Sequence, residues 1–135
     1  MERAPREPIM KRYILDPESV HPAVQDKVAG LHRSTVEEVL QAVAREDLVV
    51  VGMRGNPFVR RARRQLEAAG QAFRYLEYGS YLTDWRRRNA LKMWTGWPTF
   101  PMVFVRGTLI GGAQDLQRLA ASGELARLLA GERSR

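Results

Sequence analysis

Trp97-Pro98-Thr99-Phe100-Pro101-Met102-Val103-Phe104-Val105-Arg106-Gly107-Thr108-Leu109-Ile110-Gly111-Gly112 carries more structural information than any other stretch of the chain. Its two prolines bound an extended segment, because the pyrrolidine ring fixes φ and also pushes the preceding residue toward extended geometry. Met102–Val105 is an apolar, β-branched and aromatic run that reads as a strand. Arg106-Gly107 turns the chain into a second strand at Thr108–Ile110, and Gly111-Gly112 ends it. A connection this short joins only antiparallel strands.

Working outward, Leu48–Val51 is a continuous apolar run of the kind found in strands buried on both faces. Arg54-Gly55-Asn56-Pro57 follows as a turn, with Asn56 a helix N-cap and Pro57 at the first helical position. That helix should reach about Ala69 and stop at Gly70. Phe73, Tyr75 and Glu77 alternate with Arg74, Leu76 and Tyr78, the pattern of another strand. A helix is predicted over 82–94, with Leu82, Trp85, Leu91 and Trp94 as core contacts. A helix over 34–46 starts at the capping-box pattern Ser34-Thr35-Val36-Glu37 and carries Val36, Val39, Leu40 and Val43 at helical spacing. A last helical region covers 113–130, interrupted at Ser122-Gly123. The fold class is therefore α/β: a mixed four-stranded sheet flanked by helices on both faces, with a right-handed parallel crossover in its first β-α-β unit. Residues 1–30 contain Pro5, Pro8, Pro17 and Pro22 and little apolar periodicity. They read as an N-terminal arm, extended or partly disordered, with a turn of helix at Pro22–Val28, and 31–135 read as the folded domain.

The chain has 135 residues and no cysteine. Disulfides, zinc–thiolate sites and iron–sulfur ligation by its own sulfur are excluded, and so is thiolate exchange. The longest apolar run is too short to span a bilayer and no signal-peptide pattern stands at Met1–Pro8, so the expected location is the cytoplasm, with no membrane partner. Net charge is +7. The basic clusters are Arg60, Arg61, Arg63, Arg64 and Arg86, Arg87, Arg88, Lys92. Such charge favours anionic partners. Solvated helix faces account for it more simply than nucleic-acid binding, for which no recognition motif is present. His21 and His32 lack ligand spacing, Glu37 and Glu38 point in different directions, and no hydrolase elbow, P-loop or dinucleotide fingerprint occurs. No metal site is expected.

Trp97-Pro98-Thr99-Phe100-Pro101, Gly107, Ile110-Gly111-Gly112 and Ser122-Gly123-Glu124-Leu125, in this arrangement, resemble the glutaredoxins. The closest likeness is to the monothiol branch, whose members carry a C-G-F-S active site and a W-P-T-F-P stretch. The resemblance covers about Thr35 to Ala130 and implies a thioredoxin-like fold with a glutathione groove. It implies a cis Pro101 that turns the Phe100 backbone toward the peptide part of glutathione. It places the family's arginine at Arg88, with Lys92 one turn later to assist, and matches Met53-Arg54-Gly55 to an M-K-G pattern. The glycine carboxylate of glutathione would then face Arg54 and Arg88. The γ-glutamyl end falls to Gly112, Ala113 and Gln114, where Gln114 replaces the family's aspartate and Asp115 follows.

The active site departs most from the family. One alignment puts Asn56 at the cysteine position and Val59 at the serine position, with Phe58 retained. The other makes Asn56-Pro57 part of the preceding loop, the cysteine having gone with a short deletion. Both remove the nucleophile, and both leave a helix N-terminus whose N–H groups would favour an anion. The resemblance thus implies a cysteine-less, non-catalytic module for glutathione, a thiol peptide, or a glutathionylated or acidic protein, linked to redox homeostasis. The alternatives are a glutathione-dependent disulfide oxidoreductase that uses a partner's thiol, and an interaction domain that binds an anionic partner through its arginines.

Overall fold

The computed structural model describes residues 10–131. The chain divides into two compact units, one ending at Leu31 and the other starting at His32. In the first, a 3-10 turn at Pro17–Ser19 precedes helix α1 (Pro22–Gly30). Helix α1 is longer than the single turn read from the sequence, because His21 caps it by accepting the Ala23 N–H on Nδ1 at 3.0 Å. No residue from Met10 to Leu31 is buried. Residues 1–9 of the expected arm lie outside the described residues.

The second unit is organised around strand β1 (Leu48–Gly52), every residue of which is buried. Its alternating side chains feed two cores. Val49 and Val51 pack with Val39, Leu91, Met102 and Phe104. Leu48 and Val50 pack with Ala62, Leu66, Val103, Leu116 and Leu128. A strand covered on both faces has no polar position to offer, which explains its unbroken apolar sequence. Helices α2 (Arg33–Arg45) and α4 (Trp85–Thr95) supply the first core. Helices α3 (Pro57–Ala68), α5 (Ala113–Ser122) and α6 (Glu124–Leu129) line the second.

Strands β2 (Arg74–Glu77), β3 (Met102–Val105) and β4 (Thr108–Gly111) complete the sheet in the order β2-β1-β3-β4. β1 and β2 are parallel with Val49 opposite Arg74, whereas β1–β3 and β3–β4 are antiparallel. The hairpin turns at Arg106 and Gly107, both at positive φ. This is the mixed, helix-flanked sheet expected from the sequence.

Two local expectations fail. The pattern Ser34-Thr35-Val36-Glu37 is not a capping box. The N-cap is His32 in a left-handed conformation, Thr35 is buried, and its Oγ1 accepts a bond from Arg87 Nε at 2.9 Å. Glu37 instead pairs with Arg33 one turn back. The helix predicted from residue 82 begins only at Trp85, because Asp84 takes a left-handed conformation that interrupts helical geometry. Leu82 and Trp85, read as core contacts, are therefore 92% and 56% exposed, while Leu91 is fully buried. Trp94 does pack on the first core, its ring stacked 6.2 Å from that of Phe104.

Gly52, where β1 runs toward α3, has no room for a side chain: an added Cβ would lie 2.6 Å from Val59 Cγ1. Val59 is β-branched and buried, so it has little freedom to yield. Gly52→Ala is expected to destabilise the fold by about 1–3 kcal/mol, read as a lower urea midpoint with an unchanged slope.

Candidate functional site

The start of α3 is the position that the resemblance assigns to a nucleophile. Asn56 sits there, 7% exposed, with an extended backbone. Its Oδ1 accepts the N–H of Phe58 at 2.9 Å and of Val59 at 3.2 Å. Pro57 has no N–H, and the Arg60 N–H reaches Asn56 O at 3.2 Å. The first turn thus has no uncommitted amide. This corrects the expectation of an anion-attracting helix start, because the Asn56 carboxamide already occupies the groups an anion would use. Phe58 points outward and is exposed.

A second cluster forms where β3 and α5 begin. The Phe100–Pro101 peptide is cis, as the resemblance implies, and both residues are buried. The Lys92 ammonium lies 5.8 Å from the centre of the Phe100 ring. Gly112 stands against the same place: a Cβ there would be 3.5 Å from Pro101 O and 3.8 Å from Trp97 Nε1. That indole nitrogen is buried and has no hydrogen-bond partner. A buried N–H without an acceptor is uncommon and marks a place where a polar group fits. Ala113 is buried beside Gly112, and Gln114 is exposed.

Asp115, which follows Gln114, is engaged by the chain itself. Its Oδ2 accepts the Gly112 N–H at 2.9 Å and so caps α5. Gly111, at φ +110°, leaves space for that carboxylate, which would lie 2.5 Å from any Cβ at this position.

The arginines separate. Arg54 is exposed on the turn before α3. Arg88 is 7% exposed, and its Nη1 donates to Tyr78 O at 2.9 Å and also to Thr83 O. It is therefore neither a solvated surface cation nor a guanidinium with all its donors open to a carboxylate. It clamps the loop between β2 and α4. Lys92, one turn later, is the cation that the helix brings to Phe100. The exposed character of neighbouring Arg86 hides this division of labour in the sequence, where the three consecutive arginines look alike.

The same loop is anchored by Tyr78, whose hydroxyl donates to Glu38 of α2 and whose ring lies 4.9 Å from the Arg87 guanidinium carbon. Burial, followed by the bond to Glu38 and its negative charge, pushes the Tyr78 phenol well above its ordinary value. Burial and Glu77 push Tyr75 up to about 12. Among the described residues no group of three His, Cys, Asp or Glu side chains could hold a metal ion, and no helix is long and apolar enough to cross a membrane.

These features define a class: a thioredoxin-like α/β domain with a cis proline before a central strand and a capped helix start, in a chain without a thiol. The glutaredoxin family model matches residues 48–110. A glutaredoxin-like protein of Dictyostelium discoideum is 41% identical over 102 residues, which are 76% of this chain and 83% of that protein. Bovine glutaredoxin-3 is 32% identical over 105 residues, 72% of this chain but 30% of its own length. Among solved structures, wheat glutaredoxin matches with a TM-score of 0.64 and 27% identity, over 76% of this chain and 94% of its own. A buckwheat glutaredoxin–glutathione complex has the same fold, with a TM-score of 0.66 and 24% identity over 76% and 93% of the two chains. The chain belongs to the glutaredoxin family, as a member with no cysteine in its 135 residues.

Two outcomes follow from this geometry. Asn56→Ala should cost about 1 kcal/mol of stability by denaturant unfolding, and Asn56→Asp should restore it, since a carboxylate caps the helix and suits its dipole. For the tyrosines, a raised folded-state pKa means that the native protein holds the phenolic proton more tightly than the unfolded chain. Their contribution is complete below about pH 10, the unfolded value, and is lost as pH rises through about 12 and beyond. Stability measured against pH should fall in that window, and Tyr78→Phe should make the fall shallower.

Proposed function

We propose that this protein is a non-catalytic glutaredoxin module that binds glutathione or a glutathionylated peptide, acting in cytoplasmic redox homeostasis. The observation that carries this reading is the buried, unpartnered Trp97 Nε1 beside Pro101 O and Gly112, in a chain that has no thiol. A peptide carbonyl or carboxylate would give that N–H its acceptor. Lys92, beside Phe100, and Arg54 supply positive charge for the glycine carboxylate, and the Phe100 backbone lines the peptide's path. Gly112, Ala113 and Gln114 face the γ-glutamyl end. The neutral Gln114 offers no carboxylate to the ligand's ammonium, so binding is weaker than in a relative with aspartate there. Arg88, whose Nη1 holds the adjoining loop, is the arginine that the resemblance sets beside the glycine carboxylate. The buckwheat glutaredoxin–glutathione complex of the same fold supports the choice of ligand.

With Asn56 in place of a nucleophile, the module carries its ligand without forming a mixed disulfide. Titration of the 15N-labelled protein with reduced glutathione should give saturable shifts at Arg54, Phe100, the Trp97 indole N–H and Gly112–Gln114. Lys92→Ala should weaken binding by about 1.5–3 kcal/mol, the range for a charge-assisted hydrogen bond. Exchange of a glutathione mixed disulfide should proceed at the uncatalysed rate. Absence of shifts at millimolar ligand, or a catalysed rate, would contradict the proposal.

A further inference from the structure

The loop between β2 and α4 is held far more firmly than a connection needs. Arg88 Nη1 donates from inside the fold to Tyr78 O and Thr83 O. Ser80 N donates to Thr83 Oγ1 at 3.0 Å, and Leu82 N to Ser80 Oγ at 3.2 Å. Arg54 N donates to Gly79 O at 2.7 Å and ties the loop to the turn before α3. Gly79, at φ +66°, has Thr83 O 2.5 Å from where a Cβ would stand. Asp84 takes a positive φ although it is not glycine, an arrangement that persists only where the surroundings enforce it.

What this rigid frame presents outward is apolar. Tyr81 is 66% exposed, Leu82 92% and Trp85 56%. Isolated exposed apolar residues are ordinary, but here three fall within five positions, on the loop and the first residue of α4. Tryptophan, tyrosine and arginine are also the residue types that dominate binding energy at protein interfaces. Anchors fixed in advance lose little entropy on binding.

The charge around the patch selects the partner. Arg86 is exposed, its guanidinium carbon 5.2 Å from the Trp85 ring, and Arg87 is half-buried. The one carboxylate on the segment 78–95, Asp84, lies 3.9 Å from Arg87 Nη1. Glu38, from α2, is engaged by the Tyr78 hydroxyl. Arg87 is engaged by Asp84 and Thr35, which leaves the exposed Arg86 as the cation beside the apolar side chains.

We propose that Tyr81, Leu82, Trp85 and Arg86 form a docking site for an acidic segment of a partner protein that carries an apolar anchor side chain. The site is separate from the glutathione groove and does not depend on it. The apolar anchor covers Leu82 and Trp85, and a carboxylate beside it meets Arg86.

The test is a selection of short random peptides, displayed on phage, against the immobilised full chain. The strongest sequences are then synthesised and titrated by fluorescence anisotropy. Enriched peptides should be acidic, with at least one large apolar residue. Binding should weaken about tenfold or more with Leu82→Ser or Trp85→Ala, truncations of exposed anchors that leave the core untouched. Arg86→Glu and a rise in salt from about 0.05 M to 0.3 M should weaken it as well. The glutathione-dependent shifts should persist in all three variants, which separates failure of this proposal from failure of the glutathione reading. It is overturned if no peptide is enriched, if the enriched peptides are neutral or basic, or if the variants bind equally well. A peptide of residues 10–31 that displaces the selected ones would also overturn it, because the occupant would then be the arm of this chain.

Discussion

The Asn56 carboxamide, accepting the amides of Phe58 and Val59, is the interaction that sets the character of this protein. A helix start in this fold has one set of uncommitted N–H groups. They can stabilise an anion, such as a thiolate with a lowered pKa, or they can be capped by the chain itself. Here they are capped. Pro57 removes one donor and Asn56 takes the next two, so helix stability is gained where reactivity would otherwise reside. The β1–α3 junction beneath it, with Gly52 pressed against Val59, is built as tightly as the rest of the core.

Arg88 plays the matching part on the other side of the sheet. A buried guanidinium is costly unless it finds acceptors, and carbonyl oxygens of Tyr78 and Thr83 both accept from its Nη1. The result is a fixed loop, joined by Arg54 N to the turn before α3. The exposed side chains of Tyr81 and Leu82 are thereby carried on a loop pinned at both ends. Lys92 is left as the cation near Phe100, and Trp97 as the unpaired donor near Gly112. The proposed binding of glutathione rests on these two groups, in a chain that has no cysteine.

The sheet was legible in the sequence because strand periodicity and turn chemistry agree. Leu48–Val51 has no polar position, Arg106-Gly107 forces a hairpin, and Asn56-Pro57 marks a helix start. The cis proline followed from the W-P-T-F-P resemblance and not from local rules. The misreadings share one cause, which is that side-chain direction depends on contacts distant in sequence. Thr35 looked like part of a cap until Arg87, far along the chain, took its hydroxyl. Leu82 and Trp85 have helical spacing with Leu91, but the left-handed Asp84 places them outside the core. Arg86, Arg87 and Arg88 are indistinguishable as letters, yet one is exposed, one half-buried and one buried. No periodicity could have shown that Trp97 lacks an acceptor, since this is a property of the space around it.

The central claim, that the first turn of α3 is closed by the chain's own side chain, is tested most directly by amide hydrogen exchange at Phe58 and Val59, followed by NMR. First-turn amides of a helix ordinarily have no intrahelical acceptor and exchange readily. Bonded to Asn56 Oδ1, these two should exchange as slowly as amides in the middle of α3. Exchange at the rate of an unprotected amide would show that the helix start is open and available to an anion, contrary to the cap described here.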